Sequence, residues 1–144
     1  MIIKDPNTGI TVAIVLRKYD TDELQPEDTT TFLTEPTASL QLAVHNRPTG
    51  HVVDLHSHRQ CSRYVQHTME TLFIQNGGPV VGDLYYLTNE KHPVPKFLEQ
   101  VKLYEGDVIH LMYGAHSFRW DGNARVVESK QGPYVSRDKD KEIY

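Results

Sequence analysis

The chain has 144 residues, 38% of them hydrophobic and 24% charged, with a formal net charge of -4. That is enough chain to close one hydrophobic core but not two, and the composition is too apolar and too balanced in charge for a disordered segment. No run of Lys and Arg offers the basic face that phosphate binding requires, so no nucleic-acid partner is expected.

The apolar residues mostly follow period two, the pattern of half-buried strands. In chain order, Thr11–Leu16 is rich in β-branched residues, and its apolar stretch is too short to span a bilayer. It also lacks the basic flank and cleavage site of a secretory signal. Tyr19–Ser39 is acidic, Thr-rich and Pro-containing, and reads as a long surface loop with a short strand near Phe32-Leu33. Leu40, Leu42 and Val44 alternate with polar or small residues, as Val53 and Leu55 do with Asp54 and His56. Glu70, Leu72 and Ile74 point one way, and Thr71, Phe73 and Gln75 the other. Val80–Leu87, Phe97–Leu103, Val108–Met112, Ser117–Trp120 and Ala124–Lys130 complete the predicted strands.

Turn residues separate these runs at Gly77-Gly78-Pro79, Glu105-Gly106-Asp107, Tyr113-Gly114-Ala115 and Asp121-Gly122-Asn123. Asp-Gly between alternating runs predicts a short hairpin. Thr88–Lys96, with Pro93 and Pro95, predicts an extended hairpin loop. Many short strands at this spacing imply an all-β sandwich or barrel. The single cysteine, Cys61, cannot form an internal disulfide, which implies a reducing cytoplasmic setting.

Eight histidines are many for this length. His56-Ser57-His58 is the informative pair, since residues i and i+2 of a strand project from one face. Glu70 lies in line with apolar Leu72 and Ile74, where an unpaired carboxylate is costly and a cation would justify it. His116 follows the Gly114-Ala115 turn and shares its face with Phe118 and Trp120. Three imidazoles and one carboxylate make a mixed nitrogen and oxygen ligand set, suited to a divalent transition metal rather than to Ca or Mg. Such a set leaves open positions, where the ion can polarise a substrate oxygen or activate water or dioxygen.

Other residues carry paired readings. His110 is either a base behind the site or a surface histidine. Glu128 and Lys130 share a face of the last strand, as a pocket acid–base pair or as a solvated outer face. Arg63, Tyr64 and His67 can contact an anionic ligand or form an ordinary polar loop. Tyr85 and Tyr86 are strand packing, Trp120 is core, and Cys61 has no activating partner.

The pattern Gly50, His56-Ser57-His58, Glu70, Gly77 or Gly78, followed by Gly106-Asp107-Val108-Ile109 and Tyr113-Gly114-Ala115-His116, resembles the two motifs of the cupin superfamily over about residues 40 to 134. The spacing from His58 to Glu70 is longer than usual, which inserts a loop at Arg59–Thr68. Met112 stands where proline is common, with one residue fewer before the histidine. The ending from Glu128 to Tyr134 is similar to that of small bacterial cupins associated with carbohydrate metabolism, in which the roles of Gln131 and Tyr134 are not legible.

The resemblance implies one domain over 1–144, with a core at about 40–134 and amino-terminal strands and a loop at 1–39. Its fold would be a double-stranded β-helix, a jelly-roll barrel with one Fe, Mn, Ni or Zn near its mouth, held by His56, His58, Glu70 and His116. It also implies a homodimer in which a strand such as Thr11–Leu16 extends the partner's sheet, and a small-molecule ligand. Two functions stay open. One is a metal-dependent isomerase, epimerase, lyase or dioxygenase acting on a small sugar-like substrate. The other is a non-catalytic carbohydrate-binding or sensing module.

Overall fold

The computed structural model describes residues 1–19, 29–133, 136 and 141–144. Residues 20–28 of the predicted acidic loop, and Tyr134, lie outside these. The described residues form ten strands and no helix. In chain order these are β1 (Ile2–Lys4), β2 (Thr11–Leu16), β3 (Thr29–Phe32), β4 (Ala43–Asn46) and β5 (Glu70–Gly77), then β6 (Val80–Leu87), β7 (Pro95–Leu103), β8 (Val108–Leu111), β9 (Ala115–Trp120) and β10 (Ala124–Lys130). The all-β expectation holds.

Every pairing is antiparallel. One sheet has the order β1-β2-β8-β5-β10 and another β7-β6-β9, while β3 and β4 pair by themselves. The two larger sheets enclose one core, with Ile3, Ala13, Val15, Leu72, Ile74, Ile109 and Leu111 from the first and Val80, Leu84, Val101 and Leu103 from the second. The alternation of these positions is the period-two pattern of the sequence expressed as burial.

β2 is buried on both faces, with Val12 and Ile14 covered as well as Ala13 and Val15. It lies between β1 and β8 in its own sheet. The strand expected to extend a partner's sheet is therefore engaged on both sides within its own chain.

From β5 onward the chain keeps changing sheets. β5 and β6 are consecutive but lie in different sheets, and so do β7 and β8, β8 and β9, and β9 and β10. The Asp121-Gly122 turn is consequently a corner between sheets, and the hairpin expectation is corrected. The reason is visible in its partners: Gly78 N–H donates to Asn123 O at 3.0 Å, and Asp121 N–H donates to Pro79 O at 3.1 Å. Two corners thus bond to each other. A Cβ on Gly122 would lie 2.3 Å from Gly78 O, so only glycine allows this approach. Thr88–Lys96 does connect a true hairpin, β6 to β7.

The expected strand at Val53–Leu55 does not form. Residues 47–69 carry no strand, and Val53 and Leu55 are exposed. Alternation supplies a face but no ladder partner, and an unpaired extended segment satisfies its backbone with water. Trp120, expected in the core, is 51% exposed, because it ends β9 and β9 is an edge strand among the described residues.

Candidate functional site

Glu70 opens β5 and pairs in register with Leu111 of β8 and Lys130 of β10. Its side chain falls on the face of Leu72 and Ile74, toward the core. His116 is the second residue of β9, in the other sheet, opposite Leu84. The two inward faces bring these side chains together, with His116 Nε2 3.3 Å from Glu70 Oε2. Lys130 Nζ reaches Glu70 Oε1 at 3.9 Å from the neighbouring strand. Side-chain exposures of 13% for Glu70, 30% for His116 and 23% for Lys130 place the carboxylate just inside the surface and the imidazole at it.

Burial by itself would raise the Glu70 carboxyl. The hydrogen bond from His116 outweighs it and holds the carboxyl below its ordinary 4.5, helped by the charges of His116, Lys141 and Lys130. Glu70 and His116 form part of the wall of an open cleft of about 1050 Å³, whose lining also includes His67, Tyr85, Lys141 and Tyr144, while Lys130 stands behind Glu70 and does not line it.

The other expected ligands are placed elsewhere. His56 and His58 lie in the exposed stretch between β4 and β5, with ring centroids 5.4 Å apart in a T-shaped contact. His56 Nδ1 bonds to Asp54 O at 2.7 Å. Neither ring lines the cleft. Among the described residues no group of three or more His, Cys, Asp and Glu side chains is arranged to hold a metal. As a test of fit, the Glu70–His116 pair supplies the right oxygen and nitrogen chemistry but only two donors.

The weaker candidates separate clearly. Lys130 reaches Glu70 from the neighbouring strand. Glu128 lies two residues away on the same strand, opposite Leu72, and is exposed. His110 is completely buried, but it stands on the opposite face of β8 from Ile109 and Leu111, facing away from the Glu70 group. Its Nδ1 shares a 2.7 Å hydrogen bond with Thr71 Oγ1, while Nε2 has no partner of normal geometry. Burial pushes its pKa below 6.5, and the nearby Leu40 carbonyl opposes this.

In the inserted loop, Arg63 and Cys61 are exposed. His67 packs edge-on against Tyr113 at 5.2 Å. Together with Tyr64, it lines a smaller cavity of about 520 Å³ beside the cleft. Tyr85 packs edge-on against Phe97 at 5.8 Å, as strand packing predicts, and also lines the cleft, which its packing role did not reveal. Lys141 had no sequence signal, since only the fold brings the carboxy-terminal residues over Glu70.

Comparison of the chain with protein-family models, curated proteins and solved structures finds no match. No helix among the described residues is long and apolar enough to cross a membrane.

Proposed function

We propose that the protein is a cupin-type metal-binding protein whose functional centre is the Glu70–His116 pair at the mouth of the sandwich. Lys130 stands beside that pair, and His56 and His58, which lie apart from it in the exposed loop, would complete the ligand set only if that loop folds over the cleft. The observation that carries this reading is the 3.3 Å contact between Glu70 and His116. An inward carboxylate and an inward imidazole, far apart in sequence and on different sheets, meet beside an open cleft. The strand order supports the finer fold reading. From β5 to β10 the chain changes sheet at every connection except the β6–β7 hairpin, passing between β8-β5-β10 and β7-β6-β9 in the manner of a double-stranded β-helix.

A divalent Fe, Mn, Ni or Zn ion held there would act as a Lewis acid on a substrate oxygen. The ligand that suits the cleft is a small polar molecule, sugar-like in the family resemblance. The chemistry is of isomerase, epimerase, lyase or dioxygenase type. The same reading takes the protein to be a cytoplasmic homodimer. One observation favours the alternative of a non-catalytic carbohydrate-binding module: only two of the four donors meet, and binding without turnover does not require all four.

Elemental mass spectrometry of tag-free protein tests the reading. About one transition-metal ion per chain is expected, and Glu70→Gln and His116→Ala should each lose it. Protein that takes up no ion even after reconstitution overturns the metal reading and leaves the binding module. His56→Ala and His58→Ala report whether the loop histidines complete the site.

A further inference from the structure

The Glu70 carboxylate sits on the first residue of a strand, where local opening costs least. The ladder between β5 and β10 ends at the Glu70–Lys130 pair, after which the chain before Glu70 is irregular. Beyond that last pair stands Gln131. Its backbone N–H donates to Met69 O at 3.4 Å, and its side-chain Oε1 accepts from Met69 N–H at 3.0 Å. Its Nε2 then donates to Ser39 Oγ at 2.8 Å, and Ser39 Oγ lies 3.8 Å from Met69 Sδ. Met69 N–H can only donate, so it fixes which end of the amide faces it.

We propose that Gln131 is a positioning residue for the Glu70 centre, an inference that rests on the functional reading above. Its side chain replaces the ladder partner that Met69 lacks and so extends β5 by one residue before Glu70. The second arm ties this end to the segment around Ser39. Lys130 is the residue immediately before Gln131, so one clamp holds both the carboxylate and its ammonium partner in register opposite His116. The chemistry is specific to glutamine at this position. Alanine loses both bonds. Glutamate keeps the acceptor for Met69 N–H, but its second oxygen can bond Ser39 only if the Ser39 hydroxyl turns away from Met69 Sδ to donate, and it adds a negative charge beside Lys130.

The test uses the full chain with Zn²⁺ alone as the probe, comparing wild type, Gln131→Ala, Gln131→Glu and Ser39→Ala by calorimetric titration and thermal unfolding. Groups that orient metal ligands typically affect affinity by about 10- to 100-fold. Gln131→Ala is expected to weaken Zn²⁺ binding by about tenfold or more, with Gln131→Glu and Ser39→Ala falling between it and wild type. Wild-type affinity in Gln131→Ala overturns the proposal. So does a loss of affinity that merely follows the loss of melting temperature across all three variants. If wild type binds no Zn²⁺, the metal reading falls by itself. The positioning role is then read from the ¹⁵N imidazole resonances of His116 in ion-free protein. They should shift in Gln131→Ala as the Glu70 contact loosens, and resonances identical to wild type reject the inference.

Discussion

His56 and His58 are two residues apart, and Glu70 and His116 lie on strands of different sheets, yet both pairs are in contact. The first pair meets because the chain is short between them, and it meets in solvent. The second meets because two inward-facing registers converge, and it meets partly buried beside charged neighbours. Contact made by local spacing says nothing about environment. Contact made by the fold brings desolvation and a shifted carboxyl with it.

The largest effect that tests this difference should come from the packing behind each pair. Leu84 is fully buried in the register opposite His116, whereas Leu55 stands in the exposed segment beside His56. Leu84→Ala should cost about 2–5 kcal/mol in urea unfolding, through lost burial and the cavity left behind. Leu55→Ala should stay within about 0.5 kcal/mol. A comparable cost for Leu55→Ala would mean that this segment packs as a strand after all.

Next comes the corner that holds the two sheets in register. Gly77 has φ of +77°, and a Cβ there would lie 2.1 Å from Asn123 O. Gly77→Ala should cost about 1–3 kcal/mol and is checked by thermal unfolding.

A smaller effect separates the two faces of β8. The unfolded chain protonates His110 near 6.5, while the folded protein resists because the ring is buried. Stability should therefore fall as pH drops below 6.5, by at most about 1.4 kcal/mol per pH unit from this group, and level off once the folded-state pKa is passed. His110→Leu should flatten that slope in denaturant titrations between pH 7.5 and 5. An unchanged slope would show that another group is responsible.

The smallest effect belongs to Glu70, whose folded-state pKa lies below 4.5. Its contribution is present above that value and is lost as pH falls through the lower folded pKa. Because the group is partly solvated, Glu70→Gln should change stability at neutral pH by under about 1 kcal/mol and should soften the acid limb of the same titration.

Much of the framework was legible from residue order. Thr11–Leu16, Val80–Leu87 and Ala124–Lys130 match at both ends, each an alternating or β-branched run. The shared faces of Glu70 with Leu72 and Ile74, and of His116 with Phe118, were legible from face parity, whereas for Lys130 a pocket and a solvated outer face both stayed open until the fold put its ammonium 3.9 Å from Glu70. Val53–Leu55 shows the limit of that method, since alternation there met no partner strand. The Asp121-Gly122 turn shows another: glycine that permits a hairpin equally permits a corner. Gln131 gave no signal because its role depends on Ser39 and Met69, which are remote in the chain.

The amino-acid sequence by itself determined roughly where most strands lie and which side chains share a face, because a period of two is a property of the local backbone. Only the tertiary structure decided which faces meet. Ladder partners are chosen by the joint burial of two whole sheets and by corners that bond to one another, and no single segment contains that information. Glu70, His116 and Lys130 form a group for that reason, and His56 and His58 stand apart from it.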